Sequence, residues 1–186
     1  MTSIPTLLTY LRIALIPVFV LAFYLPFSWA HIAATVVFGL AAITDWLDGY
    51  LARRLDQTSR FGAFLDPVAD KLIVAAALVL IVQSDPSVWM AVAAVVIIGR
   101  EITISALREW MAEIGQRAHV AVSNMGKYKT TAQMIALFML IYDEPLFGLP
   151  IHAMGMLFLY IAVVLTLWSM FSYLKAAWPI LKAEQD

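Results

Sequence analysis

The chain has 186 residues, no cysteine and a formal net charge of -1; 63% of its residues are hydrophobic and only 13% are charged. That is roughly half the ~25% charged content of a soluble domain, too little to cover a water-facing surface, which excludes an ordinary soluble globular protein. The missing cysteines exclude a disulfide framework, a thiolate nucleophile and cysteine-ligated metal centres, and the charge balance offers no basic excess for nucleic acid.

A spanning helix needs about 20 mostly apolar residues. In chain order the predicted spans are Ile4–Tyr24, Trp29–Leu51, Ala63–Gln83, Ser87–Trp110, Lys127–Tyr142 and Ile151–Ala177. The first is read as a span rather than a signal peptide, because no small-residue cleavage site precedes a polar mature domain. Arg53–Arg60 and Met111–Met125 read as polar connectors. The breaks at Pro26–Ser28, Ser84–Pro86 and Asp143–Pro145 each carry a proline and no basic residue. Arg53, Arg54, Arg60, Lys71, Arg108, Arg117, Lys127, Lys129, Lys175 and Lys182 flank the other breaks or the tail. Short loops rich in lysine and arginine stay cytoplasmic, so both termini are expected inside. Trp29 and Trp89 fit aromatic anchors at the opposite interface. The expectation is an all-α polytopic bundle of six transmembrane helices, a single integral-membrane domain over residues 1–186.

Ionisable residues inside membrane segments are costly and mark function. At 1.5 Å per helical residue, Asp45, Asp48, Asp66 and Asp70 lie ~20–28 Å below the non-cytoplasmic surface. Arg12, Arg100, Glu101, Lys127 and Lys129 fall at ~18–22 Å, so five helices place charges in one layer. Lysine and arginine can snorkel to water, but aspartate is too short to do so. Four carboxylates within this stretch repel one another unless cations neutralise them.

Asp45, Asp48, Gly49 and Ala52 follow helical offsets that put them on one face, as do Gly62, Asp66 and Asp70. Two antiparallel helices thus offer paired carboxylates to a common cleft, with small residues beside them leaving room for a ligand. Oxygen ligands without histidine or cysteine favour a hard cation, Mg²⁺ or Mn²⁺. Four such groups suit two divalent cations, the arrangement that stabilises phosphoryl transfer. Arg53, Arg100, Lys127 and Lys129 supply the complement for a phosphorylated substrate. Pro67 is expected to open the hydrogen-bond ladder of the third helix or to sit in its first turn. His31, His119 and His152 are scattered and read as structural or surface residues.

The stretch Asp45–Asp70 reads D-x2-D-G-x2-A-R-x8-G-x3-D-x3-D. This pattern resembles the signature of the CDP-alcohol phosphotransferase family. The resemblance extends through the opening Ile4-Pro-Thr-Leu-Leu-Thr-x-x-Arg12, the stretch Phe61–Lys71, Gly99-Arg-Glu-Ile with Ser105–Met111, and Gly126-Lys-x-Lys-Thr-Thr-Ala-Gln133. It implies that Asp45, Asp48, Asp66 and Asp70 ligate two divalent cations and that Asp70 is also the general base. Gly49, Ala52, Arg53 and Gly62 would line the cytidine diphosphate pocket, with Thr9 and Arg12 toward the nucleotide end. The resemblance further implies a homodimer in the bacterial cytoplasmic (inner) membrane, its site open to the cytoplasm. The substrates implied are CDP-diacylglycerol and an alcohol, which the outer stretches indicate to be sn-glycerol 3-phosphate. An acceptor with its own phosphate needs cations, and Arg100, Arg108, Lys127 and Lys129 are the candidates. Inositol phosphate, serine or choline as acceptor would use the same core motif. A membrane prenyltransferase would bring differently spaced aspartates, and a cation transporter would need charge in the outer half of the membrane.

Overall fold

The computed structural model describes residues 4–55, 60–115 and 124–183. These form six helices: α1 (Ile4–Phe23), α2 (Ala30–Leu55), α3 (Arg60–Ser84), α4 (Val88–Glu113), α5 (Asn124–Tyr142) and α6 (Ile151–Ala183). Among the described residues there is no β-strand, only an isolated antiparallel bridge between Leu146 and Leu149. The helices run past the predicted spans at their charged ends: α2 continues to Leu55, α3 begins at Arg60 and α6 continues to Ala183. Hydropathy stops where charge begins, whereas the backbone ladder continues as long as the residues are good helix formers. Pro67 lies inside α3 rather than in its first turn, and its missing N–H leaves the carbonyl of residue 63 without the usual partner.

Among the described residues, four helical segments are long and apolar enough to cross a membrane: Pro5–Phe23, Ala30–Ala52, Val88–Glu113 and Ile151–Pro179. The expectation of six spans is therefore met in this strict sense by four. α3 carries Arg60, Asp66, Asp70 and Lys71 before its apolar stretch, and α5 opens with Lys127 and Lys129. Large apolar side chains stand exposed on α2, α4 and α6, among them Trp46, Val95, Val164 and Phe171, as a lipid-facing surface requires.

The chain divides into two compact units. The first comprises α1–α3 together with residues 138–152. In it α1 packs along both α2 and α3. Its core stacks Phe19 on Phe38 with ring centroids 5.7 Å apart, and Phe38 edge-on to Phe138 at 5.0 Å. A Cβ at Gly39 would sit 3.4 Å from the Phe138 ring, so a larger residue would press on this contact. Two of the three histidines lie in this unit. His31 lies 3.3 Å from Glu144 and edge-on to Tyr142, and His152 Nδ1 lies 2.5 Å from Asp143. His119 lies outside the described residues.

The second unit comprises residues 86–137 and 153–186. Ser87 caps α4, its backbone extended and its hydroxyl accepting from Met90 N–H at 3.1 Å. α4 stops at Gly115, whose φ of 75° favours glycine, with its N–H bonded to the Ala112 carbonyl at 3.3 Å. Ser87→Ala is expected to cost about 1 kcal/mol, read as a lower melting temperature in detergent. On α6, Ala162, Thr166, Ser169, Tyr173 and Ala177 form one buried stripe, while Trp168, Phe171 and Trp178 stand exposed.

Candidate active site

Helical spacing brings the motif residues together in the first unit. α2 presents Asp45 and Asp48, and α3 presents Asp66 and Asp70. α1 supplies the cation between them. The Arg12 guanidinium is fully buried; its Nη1 lies 2.9 Å from Asp45 Oδ1 and 3.1 Å from Asp66 Oδ1. Nη1 also donates to Asp70 Oδ1, and Nη2 donates to Asp48 Oδ2. One guanidinium thus engages four carboxylates.

The four aspartates are not equivalent. The Asp48 side chain is only 4% exposed, whereas those of Asp45, Asp66 and Asp70 are 46%, 40% and 47% exposed. Asp48 is the buried floor, and the other three open outward. Asp45, Asp48 and Asp66 each offer a carboxylate oxygen within 4.8 Å of the others. That spacing and the all-oxygen donor set fit a hard divalent cation. Four carboxylates against one guanidinium leave a net negative charge for it to neutralise. Asp70 lies outside this close trio but within hydrogen-bond reach of Asp45.

The residues expected to line the nucleotide are placed as follows. Gly49 and Ala52 are half-buried on α2, in register with Asp45 and Asp48, and Gly62 is half-buried one turn before Asp66 on α3. Thr9 is buried one turn before Arg12, and its hydroxyl donates to the Pro5 carbonyl at 3.2 Å. Arg12, expected toward the nucleotide, sits in the aspartate cluster itself. The Arg53 and Lys127 side chains lie outside the described residues.

Three of the four basic residues expected to hold the acceptor phosphate, Arg100, Arg108 and Lys129, are described in the second unit. Arg100 is buried; its Nη1 donates to Glu101 Oε1 at 3.1 Å and its Nη2 to Ser169 Oγ at 2.9 Å. Lys129, also buried, pairs with the same Glu101 oxygen. Arg108 Nη2 donates to the Tyr173 hydroxyl at 2.9 Å. Sequence reasoning placed Arg100, Glu101 and Lys129 at one depth, and they do meet. It missed Ser169 and Tyr173; the available signal was Thr166, Ser169 and Tyr173 at helical offsets on a largely apolar helix.

The Asp45–Asp70 signature thus places its carboxylates on two adjoining helices around one guanidinium, with small residues in register beside them. The sequence profile of the CDP-alcohol phosphatidyltransferases matches residues 2–168, and the chain belongs to that family. It is similar to proteins named CDP-diacylglycerol–glycerol-3-phosphate 3-phosphatidyltransferase. The one from Pectobacterium atrosepticum is 61% identical over 94% of this chain and 94% of its own length. That from Pseudomonas fluorescens is 57% identical over 98% and 93%, and that from Sodalis glossinidius 59% identical over 94% of each.

Proposed function

We propose that this chain transfers the phosphatidyl group of CDP-diacylglycerol to sn-glycerol 3-phosphate, giving phosphatidylglycerol phosphate and CMP in acidic phospholipid synthesis. What carries the reading is the aspartate cluster, in a chain 55–61% identical to relatives bearing that enzyme name. The primary hydroxyl oxygen of the acceptor forms a bond to the phosphatidyl phosphorus. The bond from that phosphorus to the oxygen of the CMP phosphate breaks, and CMP departs with the electron pair. Asp70, half exposed beside the buried Asp48, takes the hydroxyl proton. Asp45, Asp48, Asp66 and Asp70 hold two divalent cations, Mg²⁺ or Mn²⁺, which when bound supply charge stabilisation to the diphosphate.

Gly49, Ala52 and Gly62 leave room for the cytidine diphosphate, with Arg53 and Thr9 at its margins, while Arg12 holds the four aspartates from beneath. Arg100, Arg108, Lys127 and Lys129 take the acceptor phosphate. Charge asymmetry and the apolar runs support six spans in one domain, with both termini and the active site on the cytoplasmic side of the bacterial inner membrane. The family resemblance supports a homodimer.

The test is CMP release by the purified protein in detergent, with CDP-diacylglycerol, Mg²⁺ and a panel of acceptors. Release is expected only with sn-glycerol 3-phosphate. Chelation by EDTA is expected to bring it to background, and Mg²⁺ or Mn²⁺ to restore it. Release with inositol phosphate or serine instead would overturn the acceptor assignment.

A further inference from the structure

Arg100, Ile104, Arg108 and Met111 share one face of α4, and Tyr173 of α6 packs against that face with only 6% of its surface exposed. Its ring lies 5.6 Å from the Arg100 guanidinium carbon and 5.2 Å from that of Arg108. Its hydroxyl accepts from Arg108. Two arginines more than two helical turns apart are thereby drawn to one aromatic ring, which cations favour.

The charges here do not balance. Arg100, Arg108 and Lys129 are mutual neighbours, and Glu101 is the carboxylate among them. Among the described residues no carboxylate pairs with Arg108, and the buried Nε of Arg100 has no acceptor. Arg100 and Lys129 are buried and Arg108 is exposed; among the described residues, three cations and one anion leave two positive charges, which a dianion complements. A phosphate monoester has that charge and enough acceptor oxygens for several donors.

Tyr173 suits this need in a way an acidic residue would not. A carboxylate at its place would fix the arginines but also cancel their charge. A phenol and its ring fix them and leave the charge for the ligand. Its own position is set by packing against Ile104 and Met111, so it is a rigid reference for two long side chains.

We infer that Tyr173 is a positioning residue for the acceptor, holding Arg100 and Arg108 oriented toward one phosphate monoester dianion. This rests on the acceptor site proposed above. The test measures the KM of both substrates and kcat for Tyr173→Phe, Tyr173→Leu, Arg100→Gln and Lys129→Gln. Tyr173→Leu is expected to raise the acceptor KM about tenfold and Tyr173→Phe, which keeps the ring, about threefold. The KM for CDP-diacylglycerol and kcat at saturating acceptor stay as in the parent enzyme. Competitive inhibition by inorganic phosphate weakens in parallel, since it needs the cations but not the glycerol.

An unchanged acceptor KM in both Tyr173 variants, with the Arg100 and Lys129 variants raised, would overturn the role of Tyr173 and leave the acceptor site standing. An unchanged acceptor KM in all four would overturn the acceptor site as well. A rise in the KM for CDP-diacylglycerol alone would assign the cluster to lipid and overturn the inference. Tyr173→Phe removes one oxygen atom from a packed ring, so it keeps the test valid where Tyr173→Leu does not fold.

Discussion

Asp70→Asn is expected to lower CMP release by about two to four orders of magnitude, the usual contribution of a positioned general base. The substitution keeps shape, and the asparagine oxygen still accepts from Arg12 Nη1. What disappears is the ability to take a proton from the acceptor hydroxyl. Asp48 cannot substitute, because its carboxylate is buried and bonded to Arg12 Nη2. Because Asp45, Asp48 and Asp66 form the close trio without Asp70, at least one Mn²⁺ is expected to stay bound in Asp70→Asn and none in Asp48→Asn. Electron paramagnetic resonance of added Mn²⁺ reads this directly. Near-normal turnover in Asp70→Asn would remove Asp70 from the role of base; loss of Mn²⁺ binding would make it primarily a ligand.

The aspartates were legible because spacing along a helix fixes which residues share a face. Asp45 with Asp48 and Asp66 with Asp70 needed nothing beyond their offsets. Depth was legible too, since a constant rise per residue converts position into height; Glu101 and Lys129 were placed in one layer and are bonded. Contacts between helices were not legible, because spacing carries no information about rotation of one helix against another. Arg12 therefore read as a nucleotide contact, although its guanidinium reaches all four motif carboxylates.

Helix α6 shows the same limit from the other side. Its sequence is so uniformly apolar that lipid and protein faces look alike. Packing separates them: Thr166, Ser169 and Tyr173 turn inward, and Trp168 and Phe171 turn outward. Polar side chains inside a membrane bundle seek partners, because hydrocarbon offers none. Ser169 finds Arg100 and Tyr173 finds Arg108. The helix ends shifted for a different reason. Arg53, Arg54 and Leu55 lie beyond the hydropathic run yet still within α2, since arginine and leucine both favour helical backbone.

Arg12→Gln is expected to destabilise the protein by about 3 kcal/mol, the scale of breaking a buried ion pair by removing one partner. The size follows from geometry. Arg12 is fully buried, and Asp48 beside it is nearly so; without the guanidinium that carboxylate has no cation in its buried position. Asp45, Asp66 and Asp70 face outward and contribute less, because water reaches them. The loss should appear as a lower melting temperature in detergent with EDTA. Added Mg²⁺ or Mn²⁺ is expected to recover part of it, since a divalent cation bound by the trio restores countercharge to the same oxygens. Arg12→Lys keeps the charge but replaces a planar fork with a single ammonium, which cannot present two nitrogens to different carboxylates. Its melting temperature is expected between those of the parent and Arg12→Gln. If Arg12→Gln instead melts like the parent in EDTA, the four carboxylates do not depend on α1 for their charge balance. The buried position of Arg12 would then reflect helix packing alone.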